Sequence, residues 1–390
     1  QAGGVFVFKN QNPKNNWTKI AVGLNFENTN NFDNSTFSAG TNPTRSVADY
    51  FLSFANANPT KQQQGIPLGF LKDNDYFSLN YLDQQAYLGY NGFLINPLAD
   101  TDDNTIYNSN VPAGGNYYQE NTIIGTGYNG KLAFNASADY NNKIQVGLNL
   151  NSHFTDFKQI TKFYEQNDNV NSNPVDLVNT YFENEINTIG SGFSFQLGTI
   201  IKATKELRVG LVYDSPTWYT MNDQLRQNLS SETSNGFVSV DSNEFIIYDT
   251  YKFRTPSKIT GSLAYIFGTN GLLSIDYSRK DYSKAEYSIG RDTRDPLING
   301  DIAQNLNTSN EIRVGGEYRI KALSLRAGYR YEQSPYKNKA TMGALTGYSG
   351  GLGYNFGSTK LDLSYAYAKR NSQEGFFARG LTNGAQINNV

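Results

Sequence analysis

Few residues of this chain could do chemistry. Cys is absent and His153 is the only histidine. A serine hydrolase needs such a histidine within reach of an activated serine and an acidic residue. No such constellation stands out around His153, so it reads as an inward-register hydrogen-bonding group near the end of a strand. Asp100-Thr101-Asp102-Asp103-Asn104 opens with the D-x-D-x-N spacing of a calcium loop. The glycine that should follow is missing, however, and Val111 stands where the closing glutamate belongs. An Asx-rich polar turn accounts for the same residues. The chain is therefore expected not to be an enzyme, and to hold no metal and no cofactor.

What remains is charge and aromatic surface. Arg313, Arg326 and Arg330 each stand between apolar neighbours, and Glu317 lies among them. On a lipid-facing wall near mid-membrane an arginine costs roughly 2–4 kcal/mol, so these groups must face a polar interior. If Lys321-Ala322 is a two-residue turn closed by Ile320 and Leu323, Glu317 falls opposite Arg326 and Arg313 opposite Arg330. The first is an ion pair. The second puts two cations face to face and requires an anion between them. That anion is either a carboxylate of the protein, Asp362 being one candidate, or the head group of an amphipathic ligand.

The elements that position these residues follow from alternation. Ile20, Val22, Leu24 and Phe26 recur at every second position, as do Leu132, Phe134, Ala136 and Ala138, and then Ile144, Val146, Leu148 and Leu150. The same pattern runs through 193–213, 259–277, 312–331 and 352–367. About twelve strands result, each near the roughly 9–11 residues that a tilted membrane strand needs. Very short connections (141–142, 203–205, 321–322, 357–360) alternate with long polar ones (29–128, 156–187, 216–256, 284–309, 334–343). That rhythm, with Tyr near strand ends, specifies an all-β fold: an antiparallel transmembrane β-barrel of the outer membrane with long extracellular loops. A soluble β-sandwich gives similar alternation but not the short and long rhythm.

Composition agrees. Tyr 28 and Phe 24 are high counts for a polar chain, and Lys+Arg 33 against Asp+Glu 35 gives no reason to expect a nucleic-acid partner. No apolar run approaches the roughly 18–20 residues of a membrane helix. The first residues, QAGGVFVFKN, lack a basic start and a small-residue cleavage site, and read as a processed or trimmed chain. One barrel domain is expected over 1–390, with 29–128 inserted as a long helix-containing extracellular loop. Within it, 44–55 repeats Val47, Tyr50, Phe51 and Phe54 at helical spacing, and 79–94 places Leu79, Leu82, Ala86 and Tyr87 on one face. These faces either pack together as a lid on the rim or offer a landing surface for a lipid-like ligand.

Three segments carry a family resemblance. ELRVGLVYDSPTWY at 206–219, RTPSKITGSLAY at 254–265 and EIRVGGEYRIKALSLRAGYRYEQSP at 311–335 resemble the Ser-Pro loop entry, the Pro-led strand and the Gly-x-Glu-Tyr hairpin of one family. That family is the long-chain fatty acid transporters, the FadL/TodX outer-membrane hydrocarbon transporters. The Asn- and Tyr-rich style is similar to that of a Bacteroidetes member. The resemblance implies fourteen strands in the full protein, with about twelve in this chain, and an N-terminal hatch in the lumen. The hatch's Asn-Pro-Ala sequence is missing before residue 1, and no terminal aromatic strand precedes Val390, so a strand beyond each end is expected.

The resemblance also implies a function: passive transport of hydrophobic compounds such as long-chain fatty acids across the outer membrane of a Gram-negative bacterium. Phe51, Phe54 and Tyr87 would receive the apolar ligand and Arg313, Arg326 and Arg330 its head group. Membrane lipids, lipopolysaccharide and a hydrophobic small molecule are the expected partners. The alternative is a structural or interaction subunit of a larger outer-membrane secretion or assembly complex, whose other subunits would then be partners. A general aqueous porin ranks last, because the 29–128 insert looks occlusive.

Overall fold

The computed structural model describes residues 1–390 except 13–14, 60–62, 170–174, 291–292, 378–387 and 390. Parts of the connections expected at 29–128, 156–187 and 284–309, together with Val390, lie outside the described residues. The alternating segments form twelve wall strands: β1 (Ala2–Lys9), β2 (Trp17–Asn31), β3 (Tyr117–Tyr140), β4 (Ile144–Gln166), β5 (Leu177–Lys202), β6 (Leu207–Asp214 and Trp218–Thr233), β7 (Tyr251–Arg254 and Lys258–Ile266), β8 (Gly271–Asp281 and Glu286–Ile289), β9 (Thr308–Ile320), β10 (Leu323–Glu332), β11 (Met342–Asn355) and β12 (Lys360–Glu374). Each pairs antiparallel with the next, so spatial order follows chain order. Tight turns make this meander possible. Asn141, Asn142 and Lys321 adopt positive φ of 52°, 53° and 55°, the left-handed geometry that matches strand twist in short hairpins.

The wall is inverted relative to a soluble protein. Leu24, Leu197, Leu263, Leu273, Leu352 and Leu363 are exposed on its outside, a continuous apolar surface that water would not tolerate and acyl chains solvate. Among the described residues no helix is long and apolar enough to cross a membrane. The strands do the crossing, and the fold is an antiparallel transmembrane β-barrel.

Three strands run much farther than alternation alone implied. β3, β4 and β5 contain 24, 23 and 26 residues, more than twice the roughly 9–11 that a membrane needs. The expected loop 156–187 is therefore largely strand, and Asn34–Asn42 adds a further short strand against β3. The sequence masks this because outward positions above the membrane are polar, among them Asp156, Lys158, Lys162, Glu183 and Glu185, so the apolar stripe stops where lipid stops.

The only sizeable buried apolar cluster among the described residues lies inside this protruding part. Phe163, Phe182 and Leu229 form one cross-strand row. Against it pack helices α1 (Ala48–Ala55) and α3 (Tyr81–Asn91), with the short α2 (Leu68–Asp73) beside them. Phe51 meets Phe182 edge-on at 5.4 Å between ring centroids. α3 approaches α1 closely only because residue 89 is glycine, where a Cβ would lie 2.6 Å from the Cβ of Phe51. Asn80 caps α3 by accepting from the backbone N–H groups of Leu82 and Asp83 at 2.9 and 3.2 Å. Val47 offers α1 no side-chain cap; Ser46 Oγ accepts from Ala48 N at 3.1 Å, and Glu165 of β4 accepts from Val47 N at 2.8 Å and from Ser46 Oγ at 2.7 Å.

Pro216 and Pro256 interrupt β6 and β7 where their missing N–H groups would break the ladder. Side chains close the gap. Ser215 Oγ accepts from Phe195 N, and Thr255 Oγ1 accepts from Thr217 N, both at 2.9 Å.

Candidate binding cavity and charged lumen

The residues expected to bind ligand divide between two places. Phe51 is fully buried and Phe54 nearly so, both within the cap formed by the helices. Tyr87 is partly buried beside Tyr76, with ring centroids 5.8 Å apart. Arg313, Arg326 and Arg330 sit together in the lumen below. The structure thus brings the arginines to one another, and brings Phe54 rather than Phe51 to an open space.

That space is a cavity of about 630 Å³ under the cap, bounded by Tyr50, Phe54, Tyr81, Leu82, Leu225 and Phe377. Phe377, beyond the end of β12, reaches back to Tyr50 and Phe163 at centroid distances of 4.6 and 4.8 Å. An amide network forms the polar side. Gln227 Oε1 accepts from Gln85 Nε2 at 2.7 Å and from the Tyr76 hydroxyl at 3.0 Å, and Gln227 Nε2 donates to Asn184. Burial pushes the Tyr248 hydroxyl on this rim up to about 12, so it stays a neutral donor. A partly open aromatic space with a few fixed polar groups can hold an apolar body and orient one polar end.

In the lumen the register is the one implied by the Lys321-Ala322 turn, with Glu317 opposite Arg326 and Arg313 opposite Arg330. The anion between the facing arginines is the protein's own Glu311, whose Oε1 lies 2.7 Å from Arg313 Nε and 2.6 Å from Arg330 Nε. Arg326 pairs with Glu317 at 2.7 Å and with Asp362 at 2.5 Å. The Asp362 contact joins β10 to β12 over the top of β11, which carries Gly351 and Gly353 there; a Cβ on Gly353 would strike the Asp362 carboxylate. Arg370 spans β11 likewise to reach Glu332 at 3.1 Å. A second cavity of about 580 Å³ runs along this ladder.

One lumen cation differs. Lys280 pairs in register with Lys258, and Lys258 is held by Asp214 at 3.3 Å. The half-buried Lys280 ammonium lies 4.9 Å over the Tyr282 ring. Among the described residues no ion pair joins it to a carboxylate. Counting register across a 268–270 turn closed by Phe267 and Gly271, as was done across 321–322, would have set these two lysines opposite each other. His153 Nε2 lies 2.8 Å from Ser194 Oγ, a contact no local spacing announced, and no carboxylate bonds the ring among the described residues. Lys72 meets Asp100 at 2.9 Å and Asp102 at 4.0 Å on the cap surface.

A β-barrel with an occluding cap over a charged lumen narrows the possibilities, and comparison with known families decides among them. Residues 95–379 match the family described as Outer membrane protein transport protein (OMPP1/FadL/TodX). The chain belongs to that family. It is accordingly an outer-membrane transport protein of the FadL/TodX type, and its place is the outer membrane of a Gram-negative bacterium.

Solved structures give distant likenesses. The CymD monoaromatic hydrocarbon channel is 18% identical, with 66% of this chain and 75% of that chain covered and a TM-score of 0.38. The Pseudomonas putida toluene transporter TodX is 12% identical over 95% of this chain and 77% of that one, with a TM-score of 0.44. A Pseudomonas aeruginosa FadL homologue is 13% identical over 68% and 70%, with a TM-score of 0.43. No curated protein matches the chain.

Proposed function

We propose that this FadL/TodX-family barrel passively carries hydrophobic compounds across the outer membrane, with long-chain fatty acids or similar anionic amphiphiles as its substrate class. The observation that carries the reading is the aromatic cavity under the cap, whose volume of about 630 Å³ lies within the roughly 300–1,000 Å³ of ordinary ligand pockets. Burying an acyl chain there yields roughly 0.8 kcal/mol per methylene, enough for micromolar affinity from about ten methylenes. The lumen arginines are already engaged by Glu311, Glu317, Glu332 and Asp362. Lys280, without such a partner among the described residues, is the better receiver for a ligand carboxylate.

Equilibrium binding of oleate and of methyl oleate to the detergent-solubilised protein tests both halves. Filling the cavity with Leu225→Trp is expected to weaken both ligands about tenfold or more. Lys280→Met is expected to weaken oleate and spare the ester. Unchanged binding of both ligands in Leu225→Trp would remove the cavity from the mechanism, and equal losses in Lys280→Met would remove the head-group role.

A further inference from the structure

One side of the lumen carries a polar pair that neither the ionic ladder nor the cap uses. Lys131, His153, Gly192, Tyr219 and Phe253 stand in a single row across β3 to β7. Their chain neighbours Leu132, Phe154, Phe193 and Trp218 are exposed on the outside, so the row faces the lumen. Two glycines clear the wall at this height. A Cβ on Gly192 would lie 2.7 Å from Cδ1 of Tyr219, and one on Gly190 would strike the Met221 sulfur. Tyr219 and Met221 of β6 therefore lie flat over β5. The Tyr219 ring reaches His153 edge-on, with 5.8 Å between centroids.

His153 is held from behind. Asn151 Nδ2 donates to Ser194 Oγ at 3.2 Å, and Ser194 Oγ lies 2.8 Å from His153 Nε2, with Asn151 and Ser194 both buried. With Asn151 donating, the hydroxyl proton of Ser194 goes to Nε2, which leaves the ring proton on Nδ1. Among the described residues Nδ1 has no hydrogen-bond partner, and neither has the Tyr219 hydroxyl. Two neutral donors thus stand beside an apolar platform. Lys131, next in the row, is already paired with Glu27 at 2.9 Å.

The platform continues from the cavity under the cap. Leu225 bounds that cavity and stands on the same face of β6 as Met221 and Tyr219, roughly 14 and 20 Å along the strand from them. Asp223 lies between, bonded by the Thr188 hydroxyl at 2.7 Å and the Tyr251 hydroxyl at 3.4 Å. Lys280 pairs in register with Lys258, which lies farther along β7, past Pro256.

We infer that His153 and Tyr219 form a second ligand station, which receives a carboxylate through Nδ1–H and the tyrosine O–H while the acyl chain lies over Met221. The inference rests on the transport reading and adds a step to it, between the cap cavity and Lys280. Donors to an ionised acceptor make stronger hydrogen bonds than neutral pairs do. Neutral donors also hold a carboxylate without the tight ion pairing that would keep it from moving on.

His153 is the only histidine, so its ring nitrogens give unambiguous NMR signals in the detergent-solubilised full chain. Oleate is expected to shift the Nδ1 signal. Octadecene, which has the chain but no carboxylate, is expected to leave it unmoved. Tyr219→Phe removes one donor while keeping the ring, and is expected to raise the oleate concentration for half the shift about tenfold. Leu225→Trp, which fills the cap cavity, is expected to leave the shift in place. An equal shift with octadecene, no effect of Tyr219→Phe, or loss of the shift in Leu225→Trp would overturn the station. Oleate bound in the cap with His153 silent would overturn it and spare the transport reading, whereas no oleate binding by any measure would overturn both.

Discussion

The membrane half of the barrel and its extracellular half are built to opposite rules from the same strands. In the lower half Leu197, Leu263 and Leu352 face outward and Arg326, Glu317 and Asp362 face inward. In the upper half Phe163, Phe182 and Leu229 turn inward to a close-packed core, while Lys158, Glu185 and Arg226 occupy the outside. β4 and β5 pass through both regimes, so the switch is not a property of the strand. It tracks the medium: acyl chains outside and water inside below, water outside and the helical cap inside above. The same change in surroundings explains why one region has a core and the other an ionic ladder.

Single substitutions can break that division. Phe182→Ala deletes a fully buried ring between Phe51 and Phe163 and is expected to cost about 3–5 kcal/mol. The loss should fall on the cap, with faster hydrogen exchange at 48–55 and 81–91 and unchanged heat-modifiable mobility of the barrel. Simultaneous unfolding of both halves would show that they are one cooperative unit. Leu263→Arg places a charge on the lipid face and is expected to cost roughly 2–4 kcal/mol in denaturant titrations from vesicles. The matched change Ile160→Arg, on the outward face of β4 above the membrane, is expected to cost less than about 0.5 kcal/mol. Similar costs at the two sites would erase the boundary drawn between them.

The lower half was the more legible in sequence, for a physical reason. Lipid on one side and a wet lumen on the other impose strict period-two alternation, so strand positions, turns and the pairing of Glu317 with Arg326 followed directly. The helices within 44–55 and 79–94 were also visible, because their apolar faces repeat at helical spacing. The upper strands were not, since polar residues on their outer face leave no stripe. Nor was the choice of Glu311 over Asp362 as the anion between Arg313 and Arg330, because two carboxylates near the same arginines differ only in tertiary reach. Glycines on β11 decide that reach for Asp362 and Arg326, and a glycine in a strand gives no sign of what crosses it. The return of Phe377 into the cap follows a strand end that carries no signal of direction.

A smaller effect than those of Phe182→Ala and Leu263→Arg tests how the two halves are joined. Glu165, near the top of β4, holds the N-terminus of α1 through Ser46 and Val47 and accepts from Gln119 Nε2 at 2.8 Å. Burial pushes its carboxyl up to about 7, and the three donors, though they favour the ionised form, do not offset it; Asp49 adds repulsion from α1. Asp49 is itself held by Arg45 at 3.4 Å. The folded cap therefore holds a proton on Glu165 more tightly than the unfolded chain does. Its contribution to stability is full below the ordinary glutamate range and is lost as pH rises through about 7. Between roughly pH 6 and pH 8 the cap is expected to lose about 1 kcal/mol, read as faster amide exchange in α1. Glu165→Gln keeps the size and one acceptor and should flatten that slope, leaving the unfolding of the membrane half untouched at both pH values. An unchanged slope in the variant would place the titration elsewhere, and a slope of opposite sign would mean that the three hydrogen bonds outweigh burial and that the ionised carboxylate is what fastens the cap to the wall.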